Sequence, residues 1–268
     1  MNTHLMKTIE DIRICVIGGG AMGGAIIAGL LDVKDINPKK LSVSNPHTEK
    51  ISLFETKGVN IFTDNIKAIK DADLIVLAVK PWIIPNVIKE ISSYIDLEKT
   101  EVCSLAAGIT NEELKGFFGS YMPKKLTVAI PNTAMAVKES MTFIVPVSGN
   151  AEMSVKLFEF LGKVMIIEER QLTGAMALAS CGIAFVMRYI RASVEGGVEL
   201  GIRPSEGLKM VTQTLAGAVA ILEKGESHPE AEIDKVTTPG GITIKGLNTM
   251  ERYGFSSSII EGLKACKA

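Results

Sequence analysis

The polar residues with the clearest chemical potential lie late in the chain, around a Pro-Gly-Gly segment. Thr237, Thr238 and Thr243 flank Pro239-Gly240-Gly241, in a half of the chain whose patterns are otherwise helical. Pro and Gly end a helix and leave backbone N–H groups without intrahelical partners. Beside a helix that we expect to begin at Thr243, such N–H groups form a cradle for a small anion such as a carboxylate. The alternative is an ordinary helix–helix connection, because turns favour Gly and Pro.

A second set of residues, near the other end of the chain, points to a dinucleotide. Gly18, Gly20 and Gly23 satisfy G-x-G-x-x-G between an apolar run at 12–17 and an apolar stretch at 22–31. A strand before and a helix after the glycines is the context in which this motif binds a pyrophosphate, at the positive end of the helix dipole. Gly18 permits the tight turn, Gly20 the approach of the pyrophosphate, and Gly23 close packing of helix on strand. The alternative is a glycine-rich turn without a ligand. Together, the two ends of the chain predict a reductase of a small carboxylated substrate.

The residues after the second predicted strand distinguish NADP from NAD. NAD sites place Asp or Glu there, about 20 residues beyond the glycines. This chain has instead a neutral or basic set: Ser44, Asn45, Pro46, His47, Thr48 and Lys50. The polar side chains of this set can donate hydrogen bonds to a 2′-phosphate, which a carboxylate would repel. We therefore expect NADPH, with NAD as an alternative; a plain Asn45-Pro46 turn is the structural alternative.

Further candidates follow other predicted strands. Asp64-Asn65 precedes a helix, Lys80-Pro81 follows the apolar run 73–79, and Ala106-Ala107-Gly108 and Pro131-Asn132-Thr133 follow two later strands. The carboxyl ends of parallel strands meet the cofactor in dinucleotide-binding sheets. Each position also has a structural alternative, such as Asn65 as a helix cap and Pro81 as the start of a helix.

The elements that must position these residues change character along the chain. Strands are predicted at 12–17, 41–44, 59–62, 73–79, 101–106, 126–130 and 141–147, and helices at 22–31, 82–91, 112–118 and 151–161. This alternation predicts an α/β domain over residues 1–168, with a doubly wound sheet of the Rossmann type. Beyond it only helices are predicted, at 171–200, at 204–223 and over the last stretch, so residues 169–268 form an all-helical domain.

Charge and composition exclude several classes of protein. A net charge of −1 over 268 residues argues against nucleic-acid binding, which needs clustered Lys and Arg. The three histidines are too few and too scattered for a metal cluster, so no metal is expected. The four cysteines contain no Cys-x-x-Cys, which indicates reduced thiols in a cytoplasmic protein. They are Cys15, Cys103, Cys181 and Cys266.

Apolar surface predicts an oligomer rather than a membrane protein. Hydrophobic residues make up 47 % of the chain, and small residues line the predicted helix between 174 and 184, which permits close helix packing. The uncharged run 171–187 in the helical half falls short of the roughly 20 apolar residues that a membrane span needs. Residues 1–12 are polar and show no signal region. We therefore expect a soluble homodimer without a membrane partner.

Taken in order, these motifs resemble one family. The glycine loop with Ala21-Met22, the segments 77–81, 106–110 and 131–133, and the Thr-Pro-Gly-Gly-x-Thr tail are similar to those of pyrroline-5-carboxylate reductases over nearly the whole chain. The resemblance implies reduction of the cyclic imine 1-pyrroline-5-carboxylate to L-proline with NAD(P)H, the last step of proline biosynthesis. It also implies a Rossmann domain followed by a helical domain that interlocks in a dimer, often assembled further into decamers.

The resemblance also assigns roles by position. Thr243 matches the threonine whose hydroxyl bonds the ring nitrogen, Gly241 and Ile242 match backbone donors to the carboxylate, and Glu226 and Thr238 line the substrate pocket. The implied cofactor contacts are Gly18, Gly20, Ala21, Met22, Gly23, Asn45, Pro46, Asn65, Ala78, Val79, Lys80, Pro81 and Ala107.

Three departures from the family pattern bear on catalysis and substrate. Val128 stands where the family usually has Arg, Ile183 where it has Pro, and Arg191 where many members have Glu. They leave open another NADPH-dependent imine or β-hydroxyacid reductase, or a cofactor-binding relative without turnover. Residues 172–191 contain no lysine, which counts against the β-hydroxyacid reductases, since those use a lysine on the long interdomain helix.

Overall fold

The computed structural model describes residues 9–34, 36–225 and 227–266. Internal contacts divide the chain into two units, with the division between Ser180 and Cys181. A continuous helical segment, Glu169–Glu199, runs through this division. The domain boundary predicted between residues 168 and 169 therefore stays a prediction.

The first unit is built on one eight-stranded sheet in the order β3-β2-β1-β4-β5-β6-β7-β8. Its strands are β1 (Ile14–Ile17), β2 (Leu41–Ser44), β3 (Asn60–Phe62), β4 (Leu74–Leu77), β5 (Glu101–Ser104), β6 (Lys125–Ile130), β7 (Ser140–Ser148) and β8 (Gly162–Ile166). All neighbours pair in parallel except β6 and β7, which are antiparallel. The order of the first six strands is that of a Rossmann sheet, which confirms the predicted fold class.

Helices cover both faces of this sheet, because both faces of its central strands are apolar. Successive strand residues point to opposite faces: Ile14 and Val16 of β1 belong to one core cluster, and Cys15 and Ile17 to the other. The helices are α1 (Ala21–Leu31), α2 (Ser52–Glu55), α3 (Asn65–Ala68), α4 (Ile84–Ile91), α5 (Asn111–Phe118), α6 (Glu152–Glu159) and α7 (Leu172–Met176). The apolar side of α1 packs into the first cluster and that of α4 into the second.

Strand β8 was not expected from the sequence. It pairs in parallel with β7, from Ser140 opposite Gly162 to Ile144 opposite Ile166. Its side chains are largely exposed, so the segment shows neither a buried apolar run nor a regular alternation. A strand at the edge of a sheet owes its place to pairing with its neighbour, which a local pattern does not reveal.

Glu101 is a fully buried charged residue that joins β5 to α6. Its carboxylate accepts hydrogen bonds from the backbone N–H groups of Met153 and Ser154, both at 3.0 Å, and from the Ser154 hydroxyl. The carboxylate thus supplies acceptors for the first turn of a helix whose N-cap residue, Ala151, has no side-chain acceptor. Burial raises the pKa of Glu101, although these hydrogen bonds and Lys125 act in the opposite direction.

The described residues of the second unit form helices joined by short connections. The unit contains α8 (Gly182–Glu199), α9 (Pro204–Lys224), α10 (Pro229–Val236), α11 (Ile242–Arg252) and α12 (Phe255–Ala265). The single helix predicted at 171–200 is interrupted by a π-helical segment, Ala177–Cys181, between α7 and α8. The whole stretch Glu169–Glu199 is longer than its uncharged part, and by length and composition alone it is apolar enough to cross a membrane; only 6 % of its most apolar window is buried.

Candidate functional site

The predicted dinucleotide loop lies where the order of the sheet changes direction, between β1 and β4. The Gly18 N–H donates to the Ser44 carbonyl at 2.8 Å, and the Ala78 N–H donates to the Ile17 carbonyl at 2.8 Å. Gly18 has a φ of +106°, and a Cβ on it would lie 2.6 Å from the Ala78 carbonyl oxygen. Ligands bind at such a switch point, beyond the carboxyl ends of the strands. The structure therefore brings Gly18 and Ala78 together at the expected place.

Glycine is needed at the other two positions of the motif, Gly23 and Gly20, for different physical reasons. A Cβ on Gly23 would lie 1.9 Å from the Gly18 carbonyl oxygen, so the packing of α1 against the loop requires glycine there. A Cβ on Gly20 would meet no atom of the protein within 4 Å. Packing does not explain Gly20, whereas close approach of a pyrophosphate to the N-terminus of α1 does. The loop fits a dinucleotide on this ground.

Asn45 lies beside the glycine loop and holds it. Its Oδ1 accepts the Gly19 N–H at 3.1 Å, and its Nδ2 donates to the His47 carbonyl at 2.6 Å. Both ends of the amide are thus used within the protein, which indicates that Asn45 positions the loop. Pro46 and His47 beside it are exposed. The same loop also contains the exposed Glu49, so it is not neutral or basic throughout.

Asn65 links β2 to α4 and does not cap its helix. Its Oδ1 accepts from the Ser44 hydroxyl at 2.7 Å, and its Nδ2 donates to Glu90 Oε2 at 2.8 Å. The cap of α3 is Asp64, whose side chain accepts the Lys67 N–H at 3.1 Å. The alternative of Asn65 as a helix cap is therefore wrong, because Asn65 is the first residue of the helix.

The ends of β4 and β5 also place predicted residues at this edge. Lys80 is exposed and precedes a short 3-10 helix, Pro81–Ile83. Pro81 is the first residue of that helix, as its structural alternative predicted. Ala78 and Val79 are half-buried. After β5, Ala107 is half-buried and Gly108 has a φ of +83°. The chain then enters α5, which Thr110 and Glu113 cap reciprocally.

The Pro-Gly-Gly segment forms a closed turn in the second unit. The Gly241 N–H donates to the Thr238 carbonyl at 2.9 Å, and Gly240 has a φ of +73°. Proline followed by a residue with positive φ is typical of a type II turn. Helix α11 begins at Ile242, one residue before the predicted start, with Gly241 as its N-cap and no side-chain cap. Ile242 and Thr243 are both exposed at this helix start.

This turn changes the predicted set of backbone donors. Because the Gly241 N–H already closes the turn, a carboxylate on it would have to share that donor with the Thr238 carbonyl. The N–H groups of Ile242 and of the next residues in the first turn of α11 have no acceptor within the helix. Thr238 is exposed beside them. Glu226 lies outside the described residues, so its predicted role stays a prediction.

The three departures from the family pattern have distinct surroundings. Val128 is 2 % exposed in β6 and lies opposite Val145, so core packing occupies the position where the family has Arg. Ile183 is the second residue of α8. Arg191 is on the surface of the same helix, where its Nε lies 2.8 Å from Glu195 Oε1.

Asn132 has a structural role that the sequence did not indicate. It is 7 % exposed, its Oδ1 accepts the Ala134 N–H at 3.0 Å, and its Nδ2 donates to the Ala179 carbonyl at 3.4 Å. Ala179 belongs to the π-helical segment, where the backbone pairing of a regular α-helix is broken. Asn132 thus ties the end of β6 to this irregular stretch. Among the described residues, no three His, Cys, Asp or Glu side chains cluster as a metal site would require.

Sheet order, glycine loop and helical second unit define a dinucleotide-dependent oxidoreductase with a Rossmann domain. A sequence model described as NADP oxidoreductase coenzyme F420-dependent matches residues 13–108, and one described as pyrroline-5-carboxylate reductase dimerisation matches residues 169–268. Pyrroline-5-carboxylate reductase 2 of Dictyostelium discoideum is 33 % identical, over 94 % of this chain and 89 % of its own. The chain belongs to the pyrroline-5-carboxylate reductase family.

Solved structures agree with this assignment. A pyrroline-5-carboxylate reductase from Coxiella burnetii superposes with a TM-score of 0.86 and 27 % identity, covering 95 % of this chain and 96 % of that one. A Plasmodium falciparum pyrroline carboxylate reductase with NADP bound superposes with a TM-score of 0.84 and 26 % identity, covering 96 % of each chain.

Proposed function

We propose that this chain reduces 1-pyrroline-5-carboxylate to L-proline with NADPH, the reaction of its family, and that the turn before α11 and Thr243 hold the substrate. The assignment of the site rests on one observation: a Pro-Gly-Gly turn starts α11 with exposed backbone donors and an exposed hydroxyl beside them. NADPH, when bound, supplies the hydride.

The residues of the first unit are assigned to the cofactor. The N-terminus of α1, with Gly20 before it, faces the pyrophosphate, because backbone N–H groups and the helix dipole attract an anion there. Asn45 fixes the glycine loop and, with Pro46, borders the adenosine phosphate. The remaining cofactor positions are Ala21, Met22, Asn65, Val79, Lys80, Pro81 and Ala107.

The residues of the second unit are assigned to the substrate. The first-turn N–H groups of α11 hold the carboxylate, and the Thr243 hydroxyl oxygen accepts a hydrogen bond from the protonated ring nitrogen. A protonated cyclic imine is already electrophilic, so the protein supplies orientation and charge complementarity and needs little acid–base chemistry. His228 fits this view, since its ring accepts the Glu230 N–H at 3.2 Å and caps α10.

We infer that the chain acts as a homodimer joined through residues 169–268, and that a larger assembly such as a decamer forms from such dimers. Large apolar side chains on the helices of the second unit are exposed, including Met187 (59 %), Met210 (55 %) and Val219 (54 %). A partner subunit would bury them, and the match of residues 169–268 to a dimerisation domain supports a second copy of this chain as that partner.

We assign the protein to the cytoplasm and not to a membrane. Arg188 and Arg191 lie within the apolar helical segment Glu169–Glu199, and charged residues inside a bilayer are costly. Reduced thiols and the near-neutral charge are consistent with a cytoplasmic enzyme that binds no nucleic acid.

The test is an assay of purified protein with chemically prepared 1-pyrroline-5-carboxylate and NADPH. We expect NADPH consumption matched by proline formation, and no turnover of β-hydroxy acids with NADP. Loss of one hydrogen bond to a charged or polar group costs about 1–3 kcal/mol, so Thr243→Ala lowers kcat/KM roughly 10- to 100-fold. Thr243→Ser keeps the hydroxyl and is the matched control.

Two results would overturn the proposal in different ways. No turnover of the imine by the folded, NADPH-binding protein would refute the reaction. Wild-type kcat/KM in Thr243→Ala, or an equal loss of NADPH affinity, would leave the reaction standing and refute the role of Thr243.

A further inference from the structure

Two cysteines that the reduction does not use lie at opposite ends of the helical unit in sequence and meet in space. Cys181 immediately precedes α8, and Cys266 immediately follows α12. The Cys181 thiol lies near enough to raise the pKa of the Cys266 thiol, and the Cys266 thiol donates to the Gly262 carbonyl at 3.3 Å. Both residues are half-buried, and neither belongs to a disulfide in this structure.

The packing of α8 against α12 sets this contact. A Cβ on Gly262 of α12 would lie 4.0 Å from Cζ of Phe185 on α8. One turn further along α8, the Tyr189 ring meets the Phe255 ring edge to face, with centroids 6.5 Å apart. Residue numbers rise on one helix as they fall on the other, so the two helices run antiparallel. One turn in the other direction, this register brings Cys181 opposite Cys266.

The other two cysteines differ sharply in environment. Cys15 in β1 and Cys103 in β5 are fully buried, and burial raises the pKa of each thiol to about 12. The thiolate is the form that attacks oxidants, so these two residues are held in the unreactive state. Thiol chemistry is thereby confined to Cys181 and Cys266.

We propose that Cys181 and Cys266 form a reversible intrachain disulfide when the protein meets a hydroperoxide. The thiolate of Cys181 attacks the O–O bond, takes up one oxygen as a sulfenic acid and releases the other as water or an alcohol. The Cys266 thiol then displaces the first oxygen as water and forms the S–S bond. The two sulfurs lose two electrons together, and the peroxide gains them.

We assign the attack to Cys181 and the resolving step to Cys266. The neighbouring Cys181 thiol, together with burial, raises the pKa of the Cys266 thiol, so Cys266 stays protonated. Cys266 lies beyond the last residue of α12, and the disulfide requires the two sulfurs to come to the bonding distance of about 2 Å.

Such a bond would close nearly the whole second unit into one covalent loop. Cross-linking a loop of this length restricts the unfolded chain, and we expect the midpoint of thermal unfolding to rise by about 5–15 °C. The bond also ties the end of the π-helical segment, which Cys181 completes, to the last turn of the described chain.

The experiment treats the full-length protein with hydrogen peroxide, blocks free thiols with an alkylating reagent and maps the disulfides by mass spectrometry. We expect one peptide pair joined through Cys181 and Cys266, with loss of two hydrogens, in a chain that keeps monomer mobility on a non-reducing gel. Dithiothreitol should reverse the link. Cys181→Ser and Cys266→Ser should each abolish it, and Cys103→Ala, the matched control, should keep it.

The proposal fails if the wild-type protein, oxidised at one thiol per chain or more, yields no Cys181–Cys266 peptide. It fails equally if the link joins two chains, or if the cross-linked protein unfolds at the temperature of the reduced one. None of these readouts depends on the reductase reaction, so its failure and that of the proposed function are separable.

Discussion

Alanine substitutions at Gly20, Gly23 and Gly24 separate packing from cofactor binding as reasons for glycine in the loop between β1 and α1. A methyl group at Gly20 meets no protein atom within 4 Å, and one at Gly24 has its nearest atoms at 3.9 Å. At Gly23 the methyl group would lie 1.9 Å from a backbone oxygen that cannot rotate away. Gly20→Ala should therefore damage binding, Gly23→Ala the fold, and Gly24→Ala neither.

The expected magnitudes follow from these surroundings. Gly20 is the N-cap of α1, where alanine costs roughly 0.5–1 kcal/mol and lowers Tm by about 1–4 °C. Crowding of the proposed pyrophosphate position by about 1–3 kcal/mol raises the Kd for NADPH about 5- to 150-fold. Overpacking at Gly23 costs about 1–3 kcal/mol or more in the free energy of unfolding, a fall in Tm of about 2–12 °C.

Trp82 provides the binding assay. It is the single tryptophan of the chain, is 74 % exposed, and lies two residues beyond Lys80 at the proposed cofactor edge. Its fluorescence during titration with NADPH yields Kd, and circular dichroism during heating yields Tm. A Gly20→Ala protein that binds NADPH as tightly as Gly24→Ala would refute the argument that a ligand explains Gly20.

Three further predictions concern cofactor choice, stability and assembly. Asn45→Asp keeps the acceptor for the Gly19 N–H, loses the donor to the His47 carbonyl and adds a charge that repels a 2′-phosphate. The ratio of kcat/KM for NADPH over NADH should therefore fall roughly five- to tenfold. A wild-type preference for NADH would contradict the assignment of NADPH. Burial raises the pKa of Glu101, so the folded protein binds its proton more tightly than the unfolded chain does. The contribution of Glu101 to the free energy of unfolding is therefore complete below the ordinary carboxyl pKa, and it declines as the pH rises through the folded-state pKa. Glu101→Gln should remove that decline in denaturation curves and, by placing an amide donor against the Met153 or Ser154 N–H, should destabilise the fold by about 1–3 kcal/mol; an unchanged pH profile would refute it. Light scattering of the diluted protein should show a dimer or a multiple of it, and an active monomer would refute the role assigned to residues 169–268.

The central sheet could be predicted because its strands carry the signal in their own residues. β1 and β4 are short apolar runs buried on both faces, and each precedes residues that break a strand. Their place in a doubly wound sheet followed from the alternation of strands and helices, and a solved structure of the family superposes on the whole fold with a TM-score of 0.86. Local pattern and tertiary structure agree here, since burial on both faces leaves no other place for such a run.

Features that depend on distant partners could not be predicted. β8 exists through its pairing with β7, and the π-helical segment at Ala177–Cys181 interrupts a stretch whose sequence is uniformly helical. Asn132 reaches the carbonyl of Ala179 from a different element. Asp64 rather than Asn65 caps α3, and this too depends on distant residues, because Ser44 and Glu90 form hydrogen bonds with the amide of Asn65.

In the Pro-Gly-Gly tail, the fold explains some residues of the motif and not others. The turn alone accounts for its two glycines: Gly240 has positive φ, and a Cβ on Gly241 would lie 2.5 Å from Thr238 Oγ1. Thr243 is different. Thr212, Thr214 and Thr249 donate back to carbonyls one helical turn earlier, whereas the Thr243 hydroxyl has no hydrogen bond to another described residue. Like Gly20 in the first unit, Thr243 is the residue of its motif that the fold itself does not require, and the proposed substrate site therefore rests on Thr243 rather than on the two glycines.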